Sequence, residues 1–447
     1  MIFSFSTLMK LLKPTKVINK EYFFAPAKFS IDSRTIKKNV GFIALKGRFF
    51  DGHDFIKEAY EKGSKLIISE KELDLFKKIK GCVFLVKDSY KALGKIVKYI
   101  RKKKNPLVIA ITGSVGKTTT KEMLAYLLEE RFNLLKNKDT ENNFLGVSKT
   151  FLNLEDEEVV IVELGTNFKG EIKTLSSLSL PEIGIITFIK PVHLEGLCNL
   201  KGVFEEKISL IKTSSVKKAI LNRNDSWLKR VNIKKQLFWF GKTKDAHLYA
   251  KLLNISFDSS HFLINDKYHL RLSTPFSFYI FNALAALLCA QVVGLDLKES
   301  IERLAEFKNF LPLRMQKIKK KNILFINDSY NSNPFALKEA IKSLRIFSLP
   351  KIAVLGDMAE LGKKSKYFHT QLADFLLKTN FRYILTLGNF SSLLTQHLKE
   401  KGFKRAYQFD SHKEIACFLK KIVDKKKYLI FVKGSRNMEM EKVIDYF

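Results

Sequence analysis

Ile109-Ala110-Ile111-Thr112-Gly113-Ser114-Val115-Gly116-Lys117-Thr118-Thr119-Thr120 is an apolar strand that runs into a glycine-framed loop and then a helix. This order reads as a phosphate cradle. Gly113 and Gly116 let the backbone approach an anion, and the helix N-terminus offers free N–H groups. Lys117 is placed to neutralise a β/γ-phosphate and Thr118 to hold Mg²⁺. Gly113, Ser114, Val115, Gly116, Lys117, Thr118 and Thr119 are therefore the candidate nucleotide-binding positions. The spacing between the glycines is shorter than in the common P-loop pattern, which points to a subset of nucleotide-binding families. A mere tight turn before a helix accounts for neither the strand nor the Lys-Thr-Thr run.

Composition sets the frame around this loop. A chain of 447 residues suits two to four domains, and an apolar share of 46% is ordinary for globular cores. Cys82, Cys198, Cys289 and Cys417 are far apart, with none of the paired spacing of a zinc site or a secreted disulfide framework, so a reduced cytoplasm is expected. No apolar run approaches the roughly 20 residues of a membrane span. The Met1 to Leu12 segment carries Phe3, Phe5, Leu8, Met9, Leu11 and Leu12, which reads as a first-domain strand or helix, with rest on a membrane surface as the alternative.

The formal charge of +34 invites a nucleic-acid reading. The lysines are spread along the whole chain, however, and the short runs Lys102 to Lys104, Lys319 to Lys321 and Lys425 to Lys427 flank apolar strands as solvated faces or linkers do. Attraction of acidic nucleotides and phosphorylated substrates fits the charge as well.

Read in order, the chain is α/β throughout. Residues 1 to about 104 alternate short strands and helices, with a turn at Asp51-Gly52, and Arg101 to Asn105 before Pro106 is a charged segment suited to a domain boundary. Residues 105–312 carry the phosphate loop, strands at Val159 to Leu164, Gly184 to Ile189 and Ala219 to Asn222, an antiparallel stretch between Asp245 and Leu272, and an alanine-rich buried helix from Phe281 to Val293. This pattern predicts a central P-loop domain built on a parallel sheet. From residue 313 to 447 the alternation restarts at Ile323 to Ile326, Ile352 to Leu355, Ile384 to Leu387 and Leu429 to Val432, a Rossmann-like unit in which Asn333-Pro334 begins a helix.

Polar residues gather at the strand ends. Glu163 closes Val159-Val160-Ile161-Val162, where an acidic group can reach a metal held by the phosphate loop. His193 follows the next strand; alone such a histidine is more often structural or solvated than a ligand. Lys207 falls on the apolar face that Phe204, Ile208 and Ile211 mark, and an inward ammonium needs an anion, a shifted pKa or a snorkelling path. Asn327-Asp328-Ser329-Tyr330-Asn331 and Leu355-Gly356-Asp357-Met358-Ala359-Glu360 end neighbouring strands as cap-and-turn sequences or as parts of one site.

With these residues the chain resembles the Mur ligases of bacterial cell-wall synthesis. The motifs that carry the resemblance span nearly the whole chain: Asp32-Ser33-Arg34, Asp51-Gly52-His53, the phosphate loop, Asn142-Asn143, Glu163-Leu164-Gly165-Thr166-Asn167, His193-Leu194-Glu195-Gly196, Asn282-Ala283-Leu284-Ala285-Ala286, Asp328-Ser329-Tyr330-Asn331, Gly356-Asp357-Met358 and Lys433-Gly434-Ser435-Arg436. Tyr330-Asn331 and Asp357-Met358 resemble the type that adds D-alanyl-D-alanine to UDP-N-acetylmuramoyl-tripeptide; its sister type adds a single amino acid.

The resemblance implies an ATP-dependent ligation through an acyl phosphate. Ser33, Arg34, Gly47, Asp51 and His53 would meet substrate in the first domain, where the UDP-sugar end is held, and Asn142, Asn143, Tyr330, Asn331, Lys433, Ser435 and Arg436 would supply further substrate contacts. Lys117 would contact the γ-phosphate, and Asn282, Arg314 and Asp328 the nucleotide. Thr118 with Glu163 would hold one Mg²⁺, and His193 with a carbamylated Lys207 a second, which would turn the inward cation into an anionic ligand. A cytoplasmic monomer without nucleic-acid partner or stable membrane insertion is expected. The chain departs from the family at Phe278-Tyr279, at Phe188 and Lys190, and at Asn327, where the family carries His-Asn, Asn and Gly, and an acidic residue. The rival from another class is a basic, nucleic-acid-binding P-loop ATPase.

Overall fold

The computed structural model describes residues 2–138, 141–423 and 426–447, so Met1 and Lys425 lie outside the described residues. The chain divides into two compact units. The first comprises Met1–Ala110, Arg131–Leu164 and Lys173–Glu182, and the second Ile111–Glu130, Gly165–Ile172 and Ile183–Phe447.

In the first unit a five-stranded sheet runs in the order Lys16–Ile18, Cys82–Leu85, Leu66–Ser69, Val40–Ile43, Lys28–Ser30. All its neighbours are parallel except the first pair. Its inner strands are buried apolar runs, as a parallel sheet requires, and Phe42, Ile67, Phe76 and Val83 form the core with Ile56 and Ala59 of helix Ile56–Glu61. The N-terminal segment forms helix Phe5–Leu12, capped by Ser4, with Phe3, Leu8 and Leu12 buried in the protein. The parallel pair Leu134–Lys136 and Val159–Glu163 also belongs to this unit, and every residue of the second strand is buried.

The second unit begins at the phosphate loop. Strands Ile183–Ile186, Lys218–Asn222, Gln236–Gly241 and Leu248–Ile255 are parallel in that order. Leu248–Ile255, Ser260–Ile264 and Tyr268–Leu272 then form an antiparallel meander, as the alternation between Asp245 and Leu272 predicts. A six-stranded sheet follows, ordered Gln316–Lys320, Ile323–Asn327, Tyr428–Lys433, Lys351–Gly356, Phe381–Leu387, Ala406–Phe409, and only its first strand is antiparallel. Asn327 lies opposite Val432, and Leu355 opposite Lys433, so the polar segments after these three strands emerge along one carboxyl edge.

Within the charged segment before Pro106, Arg101 differs from its neighbours. Arg101 is no linker charge: it sits in the last turn of helix Ser89–Lys104, is only 3% exposed, and gives its guanidinium to Ser179 O (3.0 Å), Leu180 O (3.1 Å) and Glu182 Oε1 (2.6 Å). The exposed part of the basic run is residues 102–105. Arg101→Ala strands these acceptors in a low-dielectric site and is expected to lower stability by about 3 kcal/mol, read as a fall in the urea midpoint at unchanged m-value.

Candidate active site

The phosphate loop is held in place by side chains around it and by one of its own N–H groups. Gly113 has φ +150°, and a Cβ there would come within 1.9 Å of Thr187 Oγ1. Gly116 has φ +85°, and a Cβ there would come within 2.4 Å of Asn282 Nδ2. Helix Lys117–Leu128 starts directly after it. Ser114 N donates to Phe188 O (2.8 Å), and its hydroxyl exchanges hydrogen bonds with Lys190 O (2.9 Å) and Lys190 N (2.8 Å). Thr187 Oγ1 donates to Val115 O (2.6 Å), and Asn282 Nδ2 donates to Gly116 O (2.9 Å) and Thr120 Oγ1 (3.0 Å). Ser114 and Asn282, expected to touch nucleotide, thus give these groups to bracing the loop.

Two cations meet the loop. Lys117 Nζ donates to Gly113 O at 3.0 Å. Arg314 Nη2 donates to Thr118 Oγ1 at 3.1 Å, and its guanidinium lies over the Tyr330 ring, 3.9 Å from the centroid. Tyr279 O–H fixes the Arg314 carbonyl at 3.1 Å, and burial pushes the Tyr279 phenol up from its ordinary range. The departure at Tyr279 thereby gains a physical role. Behind Arg314, Asp328 Oδ1 accepts from Met315 N (3.1 Å) while its other oxygen pairs with Lys433. Lys433, nearly buried, also donates to Asn331 O (2.8 Å), so it positions the 328–331 turn. Ser435 Oγ accepts from Ala359 N (2.7 Å), and Arg436 pairs with Glu441.

The departures at Phe188 and Lys190 form a second cluster beside the loop. Phe188 packs edge-on to Phe281 (5.1 Å) and against Phe335 (5.7 Å), with the Lys190 ammonium 4.9 Å from the Phe335 ring. Lys190 Nζ is 3.0 Å from Asp225 Oδ2, a fully buried carboxylate that also accepts from Ile189 N and from Trp227 N. Asn327 Oδ1 accepts from Ser329 N.

His193 caps helix Leu194–Leu197 from a left-handed backbone (φ +50°), and its Nδ1 lies 2.6 Å from Glu360 Oε2, a close polar contact without the alignment of a hydrogen bond. His193 and Lys117 hold the Glu360 carboxyl below the usual glutamate range. Lys207 is 1% exposed on helix Leu200–Lys212, so it faces inward as its periodicity requires. Its neighbour Glu206 accepts from Gly170 N and Ile172 N, both at 2.7 Å, and steadies segment Gly165–Ile172.

In the first unit Glu163 is 1% exposed. Asn142 Nδ2 donates to its Oε1 (2.8 Å), Asn137 brackets its backbone, and Oε2 has no hydrogen-bond partner among the described residues. Asn143 caps helix Phe144–Leu152. Ser33 donates to Glu58 (2.9 Å), Arg34 pairs with Asp32 (2.8 Å), and Gly47 N donates to Phe50 O. Asp51 binds Lys71 and His53 (both 2.6 Å), and Lys71 is the main reason its carboxyl lies far below the usual range. Both His53 ring nitrogens are occupied, since Glu70 N donates to Nε2 at 3.1 Å.

Sequence reading missed Asn137, Glu206, Asp225 and Glu360. Only Glu360 left a signal, as the acidic end of a polar run after a strand.

A phosphate loop braced by Asn282 and met by Lys117 and Arg314 suits a nucleotide-dependent enzyme, and the family matches make it an ATP-dependent ligase: the chain belongs to the Mur ligase family. Its catalytic-domain, middle-domain and glutamate-ligase-domain models match residues 28–131, 111–290 and 313–436. Within the family the chain is similar to UDP-N-acetylmuramoyl-tripeptide–D-alanyl-D-alanine ligases. The enzyme of that name from Buchnera aphidicola of the pea aphid is 33% identical over 93% of this chain and 92% of its own. Among solved structures, MurF from Acinetobacter baumannii aligns with a TM-score of 0.89 at 26% identity, covering 100% of this chain and 99% of that one. MurF from Thermotoga maritima in complex with ADP aligns with a TM-score of 0.81 at 28% identity, over 94% and 96%. The expected three-domain α/β fold class is the one these structures share.

Gly116→Ala tests the bracing. A left-handed non-glycine residue costs about 1–2 kcal/mol, and the added methyl displaces the Asn282 amide. ATP affinity measured by calorimetry is expected to fall about tenfold, with the six-stranded sheet unperturbed.

Proposed function

We propose that this chain joins D-alanyl-D-alanine to UDP-N-acetylmuramoyl-tripeptide with ATP, in the assembly of peptidoglycan precursors. The observation that carries the reading is the gathering of Lys117, Thr118, Asn282 and Arg314 at one phosphate loop. The peptide carboxylate attacks the γ-phosphorus, ADP leaves, and an acyl phosphate remains. The dipeptide amine then attacks the acyl carbon, loses a proton, and inorganic phosphate departs. Lys117 and Arg314 supply fixed positive charge where negative charge gathers on the transferred group.

The donor set fits divalent cations. Glu163 offers a buried carboxylate oxygen without a hydrogen-bond partner among the described residues, and Glu360, 2.6 Å from His193 Nδ1, leaves Nε2 as the ring nitrogen that would face a cation. The Thr118 hydroxyl, substrate phosphates and a modified lysine would complete the coordination. Thr118 and Glu163 would hold one Mg²⁺, and His193 and carbamylated Lys207 a second. When bound, these ions polarise the phosphoryl oxygens and offset their charge. Residues 1–104 serve as the sugar-nucleotide domain, 105–312 as the ATP domain and 313–447 as the closing ligase domain. Ser33, Arg34, Gly47, Asp51, His53, Asn142, Asn143, Tyr330, Asn331, Lys433, Ser435 and Arg436 bind or position substrate. The enzyme acts as a cytoplasmic monomer without a nucleic-acid partner; no helix among the described residues is long and apolar enough to cross a membrane.

With UDP-N-acetylmuramoyl-tripeptide and ATP present, ADP release is expected with D-alanyl-D-alanine and not with single amino acids; turnover with a single amino acid alone would refute the assignment. Lys207→Ala is expected to lower kcat about 100- to 1,000-fold, with partial rescue by short carboxylates. Unimpaired turnover in that variant would reduce Lys207 to a packing residue.

A further inference from the structure

We propose that Glu360 is the positioning residue for His193: its carboxylate takes the Nδ1 side of the imidazole and so leaves Nε2 as the donor to a divalent cation. The inference rests on the reading of His193 as a metal ligand. Nδ1 lies 2.6 Å from Glu360 Oε2, within reach of a hydrogen bond that a small turn of the ring would align, and Nε2 makes no hydrogen bond among the described residues. An imidazole that binds metal through one nitrogen usually gives the N–H of the other to a carboxylate, which fixes both ring orientation and tautomer.

The carboxylate is aimed by its backbone. Glu360 holds φ +64°, a left-handed conformation that a non-glycine residue keeps only where its surroundings impose it. Those surroundings are specific. Glu360 O accepts from Glu195 N at 3.3 Å, two residues beyond His193. Ala359 N donates to Ser435 Oγ (2.7 Å), and Met358 N donates to the buried His369 Nε2 (3.0 Å). Gly362 lies against the backbone of Glu195, where an added Cβ would sit 3.3 Å from its Cα. The turn after strand Lys351–Gly356 is thereby fastened to the residues that follow His193. His193 is also left-handed, so two strained positions face one another across a single polar contact.

The test measures metal rather than turnover. Mn²⁺ binding to the full chain with a non-hydrolysable ATP analogue is followed by electron paramagnetic resonance, and the His193 tautomer by ¹⁵N-histidine NMR. Glu360→Ala is expected to weaken one of two Mn²⁺ sites about 10- to 100-fold and to reduce the Nδ1–H tautomer. Should it fold poorly, Glu360→Gln, which keeps the side-chain volume, carries the same measurement with a smaller expected change. Wild-type Mn²⁺ affinity in the variant overturns the inference. So does weakened binding with an unchanged tautomer, because the carboxylate would then act by another route. His193→Ala separates the two levels of the claim. If it leaves both Mn²⁺ sites intact, the reading of His193 as a ligand fails; if it weakens one while the Glu360 variants do not, only the positioning role fails.

Discussion

A loop that offers its backbone N–H groups to a phosphate cannot spend them on itself, so it must be held from outside. Around residues 113–116 that holding is done by Ser114 on the 188–190 segment, by Thr187 on Val115 O and by the Asn282 carboxamide on Gly116 O. The glycines follow from this arrangement as much as from φ, because a methyl at either would strike the bracing side chain. The alanine-rich helix Ile280–Val293 has the same origin: Ala283, Ala286 and Ala290 are fully buried, and small side chains let Asn282 come close enough to hold the loop and Thr120 together.

The strand ends are organised by charges removed from water. Asp225 is fully buried, and the Ile189 amide and Lys190 ammonium repay its desolvation. Lys433 is held by the Asp328 carboxylate and by two carbonyls, so the segment carrying Tyr330 and Asn331 has one conformation. Glu206 does the same for residues 170–172 by accepting backbone N–H groups that begin a helix, the end at which a negative charge is favoured. These groups stabilise little in isolation; their effect is to leave the polar edge few alternative arrangements.

Much of the fold was legible because its signals are local. The buried apolar strands, the antiparallel stretch after Asp245, the Asn333 cap and the inward side of Lys207 each follow from periodicity within one element. The phosphate loop and Glu163 at its strand end were legible for the same reason. What escaped was pairing over long separations. Arg101 reads as a solvated charge because its acceptors lie some eighty residues away. The bracing that Ser114 and Asn282 give the loop left no signal, because it joins residues far apart in the chain, Ser114 to Lys190 and Asn282 to Gly116 and Thr120. Glu360 stood in a legible polar run, but its left-handed backbone, which aims the carboxylate, leaves no mark on the identity of a glutamate.

Arg314 shows how these constraints meet the chemistry. Its Nη2–H rests on Thr118 Oγ1, the oxygen that the proposed reading assigns to a metal. One hydroxyl oxygen does not favourably hold two positive groups, so a loaded site requires the guanidinium to pass to another acceptor, and phosphate oxygens are the anionic ones its planar fork suits. The backbone need not follow, because Tyr279 fixes the Arg314 carbonyl and Asp328 fixes the next amide. The Tyr330 ring beneath the guanidinium restrains its plane and leaves the side-chain torsions as the moving part. Positive charge is thus kept on a short tether, and on the proposed reading nucleotide loading would turn a bond internal to the protein into one directed at the transferring group.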